Sequence, residues 1–95
     1  MNVDEVIAFE EGTMDEEKER QFMQGMINSG AAWKMNGSYG RAATAMIEAG
    51  ACALGVVGHR DYWGNYVPGR DEVKPGTKGS VAYCESRGYT VVDPK

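Results

Sequence analysis

Gly12, Gly30 and Gly50 divide the first half of this chain into three stretches, each ending a run with helical hydrophobic period. A glycine just past the last periodic residue is a common α-helix stop, because the chain there turns through a left-handed conformation. Residues 3–11 place Val3, Val6 and Ile7 on one face, with acids in the first turn and Asn2 positioned as cap. So short a helix does not hold alone in water, so it must pack on something. Residues 14–28 predict a longer helix. Thr13-Met14-Asp15-Glu16 has the pattern of a capping box, and Phe22, Met23, Met26 and Ile27 form a single stripe to be buried. Gly25 weakens this helix by about 1 kcal/mol relative to alanine, and it predicts close approach of another backbone. Residues 31–37 read as a connection that inserts Trp33 and Met35 into the core. Ser38 is expected to cap a third helix over 39–49, with Tyr39, Ala42, Ala43, Met46 and Ile47 on its inner face. Arg41 falls in the first turn of that helix, where the dipole disfavours a cation. It therefore predicts a specific partner, with the acidic first helix as the nearest supply.

After Gly50 the helical period disappears until Ser80. Asp61 to Val67 predicts a hairpin around Gly64-Asn65 as a type II′ turn, ended by Pro68. Residues 70–79 are a polar, turn-rich loop. Ser80 caps a short helix over 81–87, and Gly88 followed by Tyr89 is a Schellman signature. Tyr89 to Val92 has strand character, and residues 93–95 are expected to fray. The expected fold is α+β: an N-terminal three-helix bundle with a C-terminal β-hairpin, short helix and extended tail. Residues 1–95 read as one domain, with a helical half over 1–50 and a glycine-rich half over 51–95 containing the short helix at 80–87.

The core of such a fold is thin. The 95 residues include one leucine, three isoleucines and nine valines, so methionine, alanine and tyrosine must take positions that leucine commonly fills. That shortage bears on Tyr62, Trp63 and Tyr66. Their rings supply large buried area, and the first reading places them in the core. A partner-facing hot spot is the second reading, and a single-strand nucleic-acid platform with Arg60 and Arg70 is the third.

Charge is uneven. Residues 1–20 hold eight acids against two bases, while the rest of the chain is slightly basic, for a total of −4. This balance opposes general electrostatic binding to nucleic acid or to anionic membrane. The acids read either as a solvated helix face or as a docking surface for a basic patch. There is no apolar run long enough to span a membrane and no secretory signal pattern, so a cytoplasmic location is expected.

Little in the sequence points to catalysis. Cys52, His59 and Cys84 have no metal-ligand spacing, and the two cysteines read as reduced, small hydrophobes. His59 has no nucleophile placed for it by a recognised motif, and reads as a turn residue. Gly55-Val-Val-Gly58 and Gly76-Thr-Lys-Gly-Ser80 match neither phosphate-loop pattern, so Ser80 reads as a plain helix cap, with an anion held there beside Lys78 as the lesser alternative. No enzyme activity, cofactor or metal is expected.

Trp33 and the block GSYGRAATAMIEAG at 37–50 resemble a family of small uncharacterised proteins common in tailed bacteriophages. The resemblance covers about residues 3–52, and the segment from Tyr62 to Ser80 is similar to a segment of other short phage proteins. The chain departs from the family in its long second half and in Met26, where a leucine is usual. The resemblance implies a phage product acting in the host bacterial cytoplasm. It carries no catalytic residues.

The expected function is that of a non-enzymatic accessory protein that binds a host bacterial protein and modulates it. The candidate partner-binding residues are Glu10, Glu11, Glu16, Glu17, Glu19, Tyr62, Trp63, Tyr66 and Arg70. The alternatives are an acidic DNA mimic that inhibits a host DNA-binding protein, and a virion or assembly component. A small-molecule or nucleic-acid binder using the loop at 58–80 is a further one.

Overall fold

A computed structural model of the protein describes residues 3–35 and 37–94. The cap expected at Asn2, the connection residue Asn36 and the terminal Lys95 lie outside the described residues.

Helix α1 (Val3–Glu11) stops where its glycine predicts. Gly12 has φ +72°, its N–H donates to the Phe9 carbonyl at 3.2 Å, and the Thr13 N–H donates to the Ala8 carbonyl at 3.0 Å. These are the two bonds of a Schellman stop. The Thr13 hydroxyl also donates to the Ala8 carbonyl, at 3.3 Å. It is committed to the end of α1 and does not cap the next helix. Asp15 does so instead: its carboxylate accepts the Lys18 N–H at 2.8 Å, and α2 spans Glu16–Ser29. The capping-box reading therefore placed the start two residues early.

Along α2 the expected stripe of Phe22, Met23, Met26 and Ile27 is buried, together with Arg20 and Gln24. Gly25 does mark a close approach, but of a side chain: a Cβ there would stand 3.0 Å from the Pro94 ring. After Gly30 the chain does not run as an irregular connection. It makes a one-turn helix, α3 (Ala31–Lys34), with Ala32 buried and Trp33 and Met35 partly buried against the core. Helix α4 begins at Gly37 and runs to Ala49, so Ser38 stands inside the helix rather than at its cap. Tyr39, Ala43 and Ile47 are its buried face. The described residues of the helical half thus form four helices where three were expected, with α3 packed on both α2 and α4. Phe9 brings α1 against the others, its ring centroid 5.1 Å from Phe22 and 5.7 Å from Tyr39.

The second half adds two short antiparallel strands, β1 (His59–Arg60) and β2 (Tyr66–Val67), with His59 opposite Val67 and Arg60 opposite Tyr66. The architecture is α+β. The hairpin is present, but its loop is the five residues Asp61–Asn65 rather than a two-residue turn. The Asp61 carboxylate accepts N–H bonds from both Trp63 and Asn65, each at 2.9 Å, and this local network organises the longer loop. Helix α5 (Val81–Ser86) is capped by the Ser80 hydroxyl, which accepts the Tyr83 N–H at 3.1 Å. Its end has both expected Schellman bonds, Gly88 to Glu85 and Tyr89 to Cys84, each 3.0 Å.

Three further expectations for this half fail. Tyr89 to Val92 is not in a strand, because strands two residues long leave little ladder for another to join. Asp93 and Pro94 are docked rather than frayed. Asp93 accepts from Asn28 at 2.8 Å and from Arg70, and Pro94 covers Gly25. The core reading of the aromatic cluster also fails: Tyr62, Trp63 and Tyr66 are 71%, 80% and 52% exposed. The space those rings were expected to fill is occupied by Met23, Met26, Ala32, Ala43 and the segment Cys52–Leu54.

Candidate functional site

The loop that carries Tyr62 and Trp63 is tied down at every point where it turns. Besides the two bonds to its carboxylate, Asp61 donates its N–H to the Asn65 carbonyl at 2.9 Å, and Gly64 donates to the Asp61 carbonyl at 3.0 Å. Arg60 reaches across to the Gly64 carbonyl at 2.9 Å. The Tyr62 N–H donates to the Trp33 carbonyl at 2.9 Å, which fixes the loop to α3. The two exposed rings meet edge to face, with centroids 5.1 Å apart at 83°. A large apolar surface is therefore held outside the core on a fixed backbone.

This loop forms one wall of an open groove of about 800 Å³ whose other wall is α3 and α4. Trp33, Lys34 and Met35 line it from the α3 side; Gly40, Arg41, Thr44, Ala45 and Glu48 line it from α4. These α4 positions lie on the face away from buried Tyr39, Ala43 and Ile47.

Tyr66 and Arg70, grouped with these rings in the sequence reading, have internal duties. The Tyr66 hydroxyl donates to Glu72 at 2.6 Å, and the same carboxylate oxygen accepts the Gly69 N–H at 2.7 Å. The hydrogen bond raises the Tyr66 pKa and lowers that of Glu72. The Arg70 side chain is largely buried and donates to the Leu54 carbonyl at 2.9 Å as well as to Asp93. It holds the tail to the body and is not part of the groove lining.

The acids do not gather on one face. Glu10 accepts the Tyr39 hydroxyl at 2.6 Å on the α4 side of α1. Burial first, and then this carboxylate, push the Tyr39 pKa up to about 12. Glu17 pairs with Arg20 at 2.6 Å, and Arg20 donates in turn to the Thr90 carbonyl at 3.0 Å. Glu11 and Glu16 are exposed and Glu19 is half-buried. Asp4, Glu5 and Asp15 line a separate groove between α1 and α2. Arg41 does not pair with α1: the ion pairs among the described residues are Arg20–Glu17, Arg70–Asp93 and Lys78–Glu48.

Other sequence candidates are absorbed by the fold. His59 is half-buried, with Nε2 3.0 Å from the Asn28 carbonyl. Cys52 and Cys84 are fully buried free thiols, and burial pushes the Cys52 pKa up to about 12. Among the described residues, no group of three histidine, cysteine, aspartate or glutamate side chains converges to hold a metal. None of the described helices is long and apolar enough to cross a membrane. Lys34 and the role of Arg41 in the groove were missed by sequence reasoning; the unfavourable position of Arg41 in its helix was the available signal.

A domain of unknown function, DUF7417, matches residues 2–59. The chain belongs to this family. The DUF7417 match takes in α1 to α4 and the buried segment Cys52–Leu54, and ends on His59 at the first strand. One wall of the groove therefore lies inside the DUF7417 match, and the loop bearing Tyr62 and Trp63 lies beyond it. No curated protein and no solved structure matches the chain.

Proposed function

We propose that this protein is a phage-encoded, non-enzymatic accessory protein that binds a host bacterial protein in the cytoplasm and modulates its activity. The observation that carries this reading is Trp63, a ring 80% exposed on a loop held by backbone and carboxylate hydrogen bonds. Tryptophan and tyrosine are enriched among residues whose truncation costs about 2 kcal/mol or more of binding energy. A fixed loop loses little entropy on docking, so more of that energy appears as affinity. The resemblance of the 37–50 block to small phage proteins supports the origin and the host-side partner. Glu11, Glu16 and Glu19 lie outside the groove and contribute negative field that favours a basic region elsewhere on the partner, while Glu10 and Glu17 are engaged within the fold.

The test is affinity capture from a bacterial lysate with the native protein and with Trp63→Ala, followed by titration of the purified partner. The expected result is a partner bound about tenfold or more weakly by the variant. Equal affinity for the two would remove the loop from the interface.

A further inference from the structure

We propose that the groove between the hairpin loop and α3–α4 receives an acidic segment of the partner protein. An apolar side chain of that segment packs beside Tyr62 and Trp63, and its carboxylates meet Lys34 and Arg41. This inference rests on the protein-binding reading and specifies the chemistry of its ligand.

The charges lining the groove decide the sign. Glu48 is taken by Lys78 at 3.6 Å, and Asp61 spends its carboxylate on two backbone N–H groups at 2.9 Å. Lys34 and Arg41 are both exposed, and neither enters an ion pair among the described residues. Arg41 is the fifth residue of α4, but its guanidinium folds back beside Gly37 at the helix N-terminus, where the dipole disfavours a cation. Among the described residues no carboxylate pairs with it to offset that cost, so an external anion is the partner that suits it. In a chain of net charge −4, two cations that form no ion pair among the described residues, beside an exposed aromatic pair, are a local complement to a carboxylate-bearing, partly apolar ligand.

A single nucleic-acid strand also combines anions with flat rings. The observations favour the peptide. A strand brings one negative charge per nucleotide past Glu48 and Asp61 and up to an acidic body, whereas a peptide sets its few carboxylates only where the cations stand.

The experiment is selection of a random-peptide display library on the native protein, followed by titration of a selected peptide and of fluorescent oligothymidine. The variants are Trp63→Ala and the double change Lys34→Glu with Arg41→Glu, each checked for native circular dichroism and thermal midpoint. The expected peptides carry Asp or Glu beside an apolar residue. They bind each variant about tenfold more weakly and lose affinity with added salt. A peptide with lysines in place of its acids recovers binding to the double variant. Selected peptides without acids, binding indifferent to the double variant, or oligothymidine preferred over peptide would each overturn the inference, the last by assigning the groove to nucleic acid. A host protein that depends on Trp63 but not on Lys34 and Arg41 would overturn this inference and leave the proposed function standing. Loss of all Trp63 dependence would remove both.

Discussion

Arg70 grips Asp93 with two parallel hydrogen bonds of 2.7 and 3.0 Å, and so ties the C-terminal tail to the middle of the chain. The same guanidinium holds the Leu54 carbonyl, and Asn28 of α2 donates to Asp93 at 2.8 Å. One side chain thereby joins α2, the buried segment before the hairpin, and the tail.

Arg70→Ala is expected to destabilise the protein by about 2–3 kcal/mol, because it leaves a carbonyl and a carboxylate without their charged donor. Asp93→Asn is expected to cost less, about 1 kcal/mol, since Asp93 is 41% exposed. Urea unfolding midpoints check both values. The hydrogen bond from Arg70 lowers the Asp93 pKa. A lowered folded-state pKa gives stability that is present above the ordinary carboxylate range and lost as pH falls through the folded value. The thermal midpoint should therefore drop below about pH 4, and drop less steeply in Asp93→Asn.

Tyr39 supplies the opposite limb. Its pKa is raised to about 12, so its contribution to stability is intact below the ordinary tyrosine pKa and is lost as pH rises through the folded one. Absorbance titration near the phenolate band should show two of the five tyrosines ionising after free tyrosine does, Tyr66 and then, as a separate late step, Tyr39. Tyr39→Phe should abolish that late step and cost about 1 kcal/mol through the lost bond to Glu10. A titration in which the late step persists in Tyr39→Phe would contradict the assignment.

Gly30 and Gly12 share a left-handed conformation, with φ +85° and +72°, but not an environment. An alanine Cβ at position 30 would stand 2.5 Å from Nδ1 of the His59 ring, whereas position 12 has open space around it. Gly12→Ala is expected to cost the conformational penalty alone, about 1 kcal/mol. Gly30→Ala should cost clearly more, because His59 must leave its bond to Asn28. Thermal melts of the two variants side by side measure the difference, and equal losses would contradict it.

Cys52 and Cys84 should react with a thiol reagent only on unfolding, since both are fully buried and burial disfavours the thiolate of each. Two thiols per chain are expected in denaturant. Labelling under native conditions should follow the unfolding rate, and a fast-reacting thiol in the folded protein would contradict the burial.

The ends of helices were legible because the signals that stop a helix are local. Gly12, Gly30, Gly50 and Gly88 lie just past helices in the structure as their spacing predicts, and Ser80 caps α5. The stripe of Phe22, Met23, Met26 and Ile27 is buried as its period requires. The cap of α2 was misread for a reason equally local. Thr13 and Asp15 both suit the role, and the Ala8 carbonyl competes for the threonine hydroxyl. A preference scale contains no such competition.

The site was less legible. Composition argues that three large rings belong inside a leucine-poor core, yet methionines, alanines and Cys52 already fill it. Only the assembled fold shows that Asp61 holds its loop away from that core, and that Trp33 meets the loop through its carbonyl. The single acidic surface read from residues 1–20 dissolves for the same reason, because Glu10 turns to Tyr39 and Glu17 to Arg20.

By itself, then, the sequence determined an α+β chain with most of its helix ends, the buried stripes of α2 and α4 but not the exposed Val3 and Ile7 of α1, and its excess of acid. Those follow from contacts a few residues apart. Which aromatics face water, which acids are engaged and where the tail docks were decided by tertiary structure. Each depends on pairs such as Arg70 and Asp93 or Trp33 and Tyr62, whose meeting is set by how the whole core closes.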